Sequence, residues 1–86
     1  MASVEHILDR YLDPVADAMS PQVALRILEL RPEPEVTKLV ADFGRKADAG
    51  TLTDEERDDY RALADAGTLV SILKAKARRA LSRQAN

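Results

Sequence analysis

A glycine, an aliphatic residue two places on and a glutamate six places on are the marks of the second half of a helix–loop–helix calcium loop. The chain carries them as Gly50, Leu52 and Glu56. The full register fails. With Gly50 at loop position six and Glu56 at twelve, positions one, three and five fall on Arg45, Ala47 and Ala49, where oxygen ligands are required. Only the last ligand survives, so Gly50 is read as a helix C-terminal residue and Glu56 as a helix cap. Asp42-Phe43-Gly44 spells the metal-binding triplet of protein kinases, but no Gly-rich loop, strand lysine or catalytic loop accompanies it. Phe43 is better placed as the largest core residue of a helix, with Gly44 where another helix comes close.

Other carboxylates form rows rather than clusters. Asp9, Asp13 and Asp17 are four apart, on one helical face if a helix continues through Pro14, and Asp54, Glu55, Glu56, Asp58 and Asp59 crowd a second stretch. Acids in a row on a helix face are solvated, whereas a hard cation needs converging oxygens in a shaped pocket. His6 is the only histidine, and there is no cysteine. Nucleophilic or acid–base catalysis needs a base oriented by a third group, and nothing here supplies one. The expectation is a chain with no catalytic residue, no metal and no cofactor, and with no disulfide to indicate a compartment.

The net charge of −2 conceals a division. Residues 1–73 carry fifteen acids against eight bases, a balance of −7; residues 74–86 carry five bases and no acid, a balance of +5. Those bases, Lys74, Lys76, Arg78, Arg79 and Arg83, are candidates for contact with nucleic acid or an acidic partner. Against this stand an isoelectric point near 5.3 and the absence of aromatics among the bases for stacking. A long helix also places bases at its C-terminus to complement its dipole, so nucleic-acid binding is the alternative reading and not the first.

All these residues fall on helices. Thr53 and Glu56 have the spacing of a capping box, and from there to Leu81 the apolar residues Leu63, Ala66, Leu69, Val70, Leu73, Ala77, Ala80 and Leu81 keep helical phase, with Ile72 beside them. The rod is expected over 54–83, on the order of 44 Å long, with Gly67 as its weak point. Ser3 caps a first helix over 3–12, in which Val4, Ile7, Leu8 and Tyr11 recur at helical spacing. Asp13-Pro14 interrupts it, and Pro14 can open a further turn holding Val15, Ala18 and Met19. Ser20-Pro21 starts a helix over 21–31 that buries Val23, Ala24, Ile27, Leu28 and Leu30. Pro34 starts another over 34–49, with Val36, Leu39, Val40, Phe43 and Ala47 inward and Gly50 ending it.

These pieces resemble a group of small, functionally uncharacterised bacterial helical proteins. They share Leu12-Asp13-Pro14-Val15, Met19-Ser20-Pro21-Gln22-Val23-Ala24, an Arg-Pro turn, and a Gly-x-Leu-Thr-x-Glu-Glu-x-x-x-Tyr segment leading to Leu-Lys-Ala-Lys-Ala-Arg. Here that last run is Gly50, Leu52, Thr53, Glu55, Glu56 and Tyr60, then Leu73 to Arg78. The likeness covers most of the chain. Such proteins often sit near HNH-type nucleases, which implies a bacterial, companion-like role, antitoxin-like or regulatory, with a nuclease as partner.

The expected architecture is a single all-α domain over residues 1–86, three short helices packed on one long C-terminal helix. The three short helices can cover the N-terminal half of the rod and more, and the segment from Leu69 to Leu81 is expected to project or to need the first helix folded back along it. Leu69, Val70, Leu73, Ala77 and Leu81 are therefore expected to form an interface, most simply a homodimer seam. The expected function is a non-enzymatic protein–protein interaction module. No apolar run approaches the roughly 20 residues of a membrane span, and no signal-peptide pattern opens the chain, so no membrane is expected and the cytoplasm is the expected compartment.

Overall fold

The computed structural model describes residues 3–84, and among them there is helix and no strand. Five helices follow one another: α1 (Val4–Tyr11), α2 (Asp13–Ala18), α3 (Pro21–Leu28), α4 (Pro34–Ala49) and α5 (Asp54–Gln84). The chain is an all-α bundle in which shorter helices lie against the long C-terminal one.

Side-chain caps set the boundaries. Ser3 Oγ accepts from the His6 N–H at 3.1 Å and Ser20 Oγ from the Val23 N–H at 3.2 Å, each satisfying one of the free donors at a helix start. Proline interrupts the first helix, but one residue before Asp13: Leu12 leaves helical geometry, and Asp13 opens α2 with Pro14 in its first turn, where the missing N–H costs nothing. The region expected as three short helices is thus four, α2 being the further turn that Pro14 allows. Expected to reach residue 31, α3 stops at Leu28.

At the α4–α5 corner both signals hold. Gly50 takes φ +71°, its N–H donates to the Ala47 carbonyl at 3.1 Å and the Thr51 N–H to the Lys46 carbonyl at 2.9 Å, a Schellman close. Three residues on, the Thr53 N–H donates to Glu56 Oε1 and the Glu56 N–H to Thr53 Oγ1, each at 3.0 Å. This reciprocal pair is the capping box the spacing predicts.

By contact the chain falls into two units, one comprising the residues up to Leu30 with those from Thr68 onward, the other Arg31–Gly67. In the first, α1, α2 and α3 lie with the second half of α5. Its core is Met19, Ala24, Ala77 and Ala80, with Val15, Ile27, Leu28 and Leu81 packed on it. Ala24 and Ala77 are fully buried; with only methyl groups between them, helices approach closely. The second unit is a hairpin of α4 and the first half of α5. Phe43 is its one buried residue, its ring centroid 5.9 Å from that of Tyr60 at a 55° tilt.

Helix α5 runs unbroken through Gly67, and a Cβ built there meets nothing within 4 Å. Gly67 is therefore neither a break nor a close contact; it is an entropic weak point. Gly67→Ala is expected to stabilise the protein by about 0.5–1 kcal/mol. Gly50→Ala, forced into the left-handed region, should destabilise it by about 1 kcal/mol or more. Urea unfolding of the two variants checks both signs. At Gly44 a Cβ would sit 3.6 Å from Tyr60 Oη, an ordinary contact rather than a tight one.

Several expected core positions are not buried. On α4, Leu39 and Val40 remain about two-fifths exposed, because the hairpin offers them only one neighbouring helix. On α5, Ala66 is exposed and Leu69 is 38% exposed.

Candidate functional site

The first helix is amphipathic, and its apolar residues face outward. Val4, Ile7 and Tyr11 are 65%, 47% and 81% exposed, Leu8 is half-buried, and no residue of α1 is buried. Those four side chains recur at i, i+3, i+4 and i+7 and so form one ridge. The opposite face, carrying Glu5, His6 and Asp9, borders a cleft of about 380 Å³ whose other wall is Ser71, Ile72 and Ala75 of α5.

Charge explains the orientation. Lys76, only 4% exposed, donates from Nζ to Asp9 Oδ1 at 2.7 Å and to Asp13 Oδ1 at 3.2 Å. Arg79 Nη2 lies 2.6 Å from Asp13 Oδ1 and donates to the Asp13 carbonyl at 3.1 Å, and Arg83 pairs with Asp17. The acid row at positions 9, 13 and 17 thus faces a base row at 76, 79 and 83, the two running in the same chain direction. An ammonium on the otherwise apolar face of α5 must be paired when water is removed from it, and meeting it turns Asp9 inward and the apolar ridge outward.

These contacts move the titrations as expected of opposite charges. Hydrogen bonds from Arg79 and then Lys76 hold the Asp13 carboxyl below its ordinary 3.8. Asp9, first, and Asp13 raise Lys76 above its ordinary 10.5 against the opposing effect of burial. In the hairpin, Lys46, then the Thr53 N–H, lower Glu56 below its ordinary 4.5.

The bases singled out for nucleic acid are therefore largely engaged. Lys74 Nζ donates to the Leu30 carbonyl at 2.7 Å, and Lys76, Arg79 and Arg83 hold the acid row. Arg78 is exposed and has no carboxylate partner among the described residues. Nor does the seam expected on α5 lie open along its length. Ala77 is fully buried in the core of its own chain, and Leu81 packs on the same cluster. This is a correction to the expected interface: α2 and α3 already cover that part. Val70 and Leu73 are half-buried, and of the five seam residues Leu69 is the most exposed.

A second apolar surface lies on α3. Val23, Ile27 and Leu30, with Gln22 and Arg26 at the edge, line a groove of about 270 Å³, and Val23 and Leu30 are 49% and 46% exposed. The ridge and this groove are what sequence reasoning missed: it assigned Val23 and Leu30 to a buried face and gave Val4, Ile7 and Tyr11 only a shared helical spacing. A signal was present: acids at i, i+4 and i+8 on one segment match bases at i, i+3 and i+7 on another, so the polar face of α1 had a partner waiting inside.

Among the described residues no set of three His, Asp or Glu side chains is arranged to hold a metal ion, and no helix is long and apolar enough to cross a membrane. The class defined by fold and surface is an all-α bundle with an outward apolar ridge. Compared with known protein families, with curated proteins and with solved structures, the chain matches none.

Proposed function

We propose that the protein is a non-enzymatic helical interaction module that self-associates as a two-fold dimer, α1 of each copy seated in the α3 groove of the other. The observation that carries this is the outward ridge of Val4, Ile7 and Tyr11 on a helix that buries nothing. Apolar residues grouped in this way on a small protein mark an interaction site.

Two features favour a second copy as the occupant. One chain carries both halves of an apolar contact, ridge and groove, so a two-fold axis makes the contact twice. A chain of 86 residues with so few buried side chains also gains most from added apolar area.

Light scattering after size exclusion, at low and high salt, is the test. The wild type is expected to be a dimer, and Tyr11→Glu or Val23→Glu, both at exposed positions, to give monomers of unchanged helicity. A folded, monomeric wild type overturns the dimer. The same ridge would then be the surface for a different protein, in the companion role that the sequence resemblance implies.

A further inference from the structure

We infer that α1 is an ion-latched strap: it opens from α5 as a unit, uncovering Ile72 and Lys76, while the α2–α3–α5 core stays folded. Three features of α1 converge on this, and none depends on self-association. Within its own chain it buries no side chain fully, Leu8 being only half-buried, so lifting it uncovers little apolar surface of its own. Its polar face borders an open cleft of about 380 Å³ against Ser71, Ile72 and Ala75 of α5, so water reaches the seam. What joins the two across that cleft is polar. Lys76 reaches Asp9 at 2.7 Å, while a second bond to Asp13 at 3.2 Å ties the same ammonium to the start of α2.

The core beneath is independent of α1. Met19, Ala24, Ala77 and Ala80 and the side chains packed on them all come from α2, α3, α5 and the short links between them. Opening α1 therefore breaks one side of the Lys76 clamp and rehydrates its ammonium, and the methyl–methyl contacts of Ala24 and Ala77 persist. Local opening of this kind is confined to segments with few buried apolar contacts. The carboxylate side of the latch is about half exposed, at 56% for Asp9 and 54% for Asp13, so dissolved salt reaches and screens it.

Amide hydrogen exchange on the full-length protein at 20 mM and 500 mM sodium chloride tests the latch. The amides of Ile7 to Leu12 are expected to exchange about tenfold faster at the higher salt, the scale of losing one or two half-exposed ion pairs. Those of Ala24 to Leu28 serve as the internal control and should keep their protection. Asp9→Asn, at the exposed end of the latch, should give fast α1 exchange at both salt concentrations. Lys76→Met should do the same from the buried end; if that variant fails to fold, Asp9→Asn still decides the matter. Equal exchange in α1 at both salts, or acceleration of α1 and α3 together, overturns the strap.

Discussion

Ala77→Glu is expected to unfold the unit formed by α1 to α3 and the second half of α5, with or without a binding partner. Ala77 is fully buried and belongs to the cluster of Met19, Ala24 and Ala80. A glutamate there adds several heavy atoms where methyl groups set the helix spacing, and it puts a carboxylate into the apolar cluster of Met19, Ala24 and Ala80. Overpacking and an unpaired buried charge each fall among the few mechanisms that reach or exceed about 4 kcal/mol. A small domain holds on the order of 5 kcal/mol in all, so the loss leaves little folded protein. Circular dichroism at 222 nm should show the collapse at room temperature. Leu69→Glu, on the same helix and 38% exposed, should change stability by no more than about 0.5 kcal/mol. That contrast separates core from surface along one apolar stripe. Equal and mild effects at both positions would mean that the Ala77 face is open to another molecule after all.

The stripe shows how much of this fold is legible in sequence. Helix existence follows from local signals that need no tertiary knowledge. Ser3, Ser20, Gly50 and the Thr53–Glu56 box all act within a few residues of themselves, and each sits where its spacing puts it. Burial is a different matter, because periodicity defines a face and not what lies against it. On α5 the apolar face is both core and surface, buried at Ile72, Ala77 and Ala80 and exposed at Leu69. On α1 the apolar residues are the exposed ones, while its polar face carries Asp9 to the buried cation Lys76, an ammonium that is costly to leave unpaired. The basic C-terminal cluster is similar: its charge balance is visible in the sequence, but its partners, more than forty residues away, are not.

Phe43→Ala should have the second largest effect, and it falls in the other unit. Between Arg31 and Gly67, Phe43 is the one side chain under the burial of a true core residue, at 6% exposure. Val36, Leu52, Tyr60 and Leu63 are half-buried, and Leu39 and Val40 more exposed still. Truncating a buried phenylalanine costs about 3–5 kcal/mol, and a two-helix hairpin has no second cluster to absorb the loss. The caps at Gly50 and Thr53 fix the corner but add only about 1 kcal/mol apiece. Urea unfolding followed by Tyr60 fluorescence, and hydrogen exchange across α4, are expected to show the hairpin opening. Phe43→Leu retains most of the volume and should cost less, about 1–1.5 kcal/mol. Its remaining deficit is tied to the tilted ring pair with Tyr60 at 5.9 Å. A double-mutant cycle with Tyr60→Leu should return a coupling of about 0.5–1.5 kcal/mol. A coupling near zero would assign the role of Phe43 to bulk burial alone. A loss below about 1 kcal/mol for Phe43→Ala would mean that the hairpin is held by its caps and the Lys46–Glu56 ion pair. Since exposed pairs rarely contribute that much, the ring is the stronger candidate.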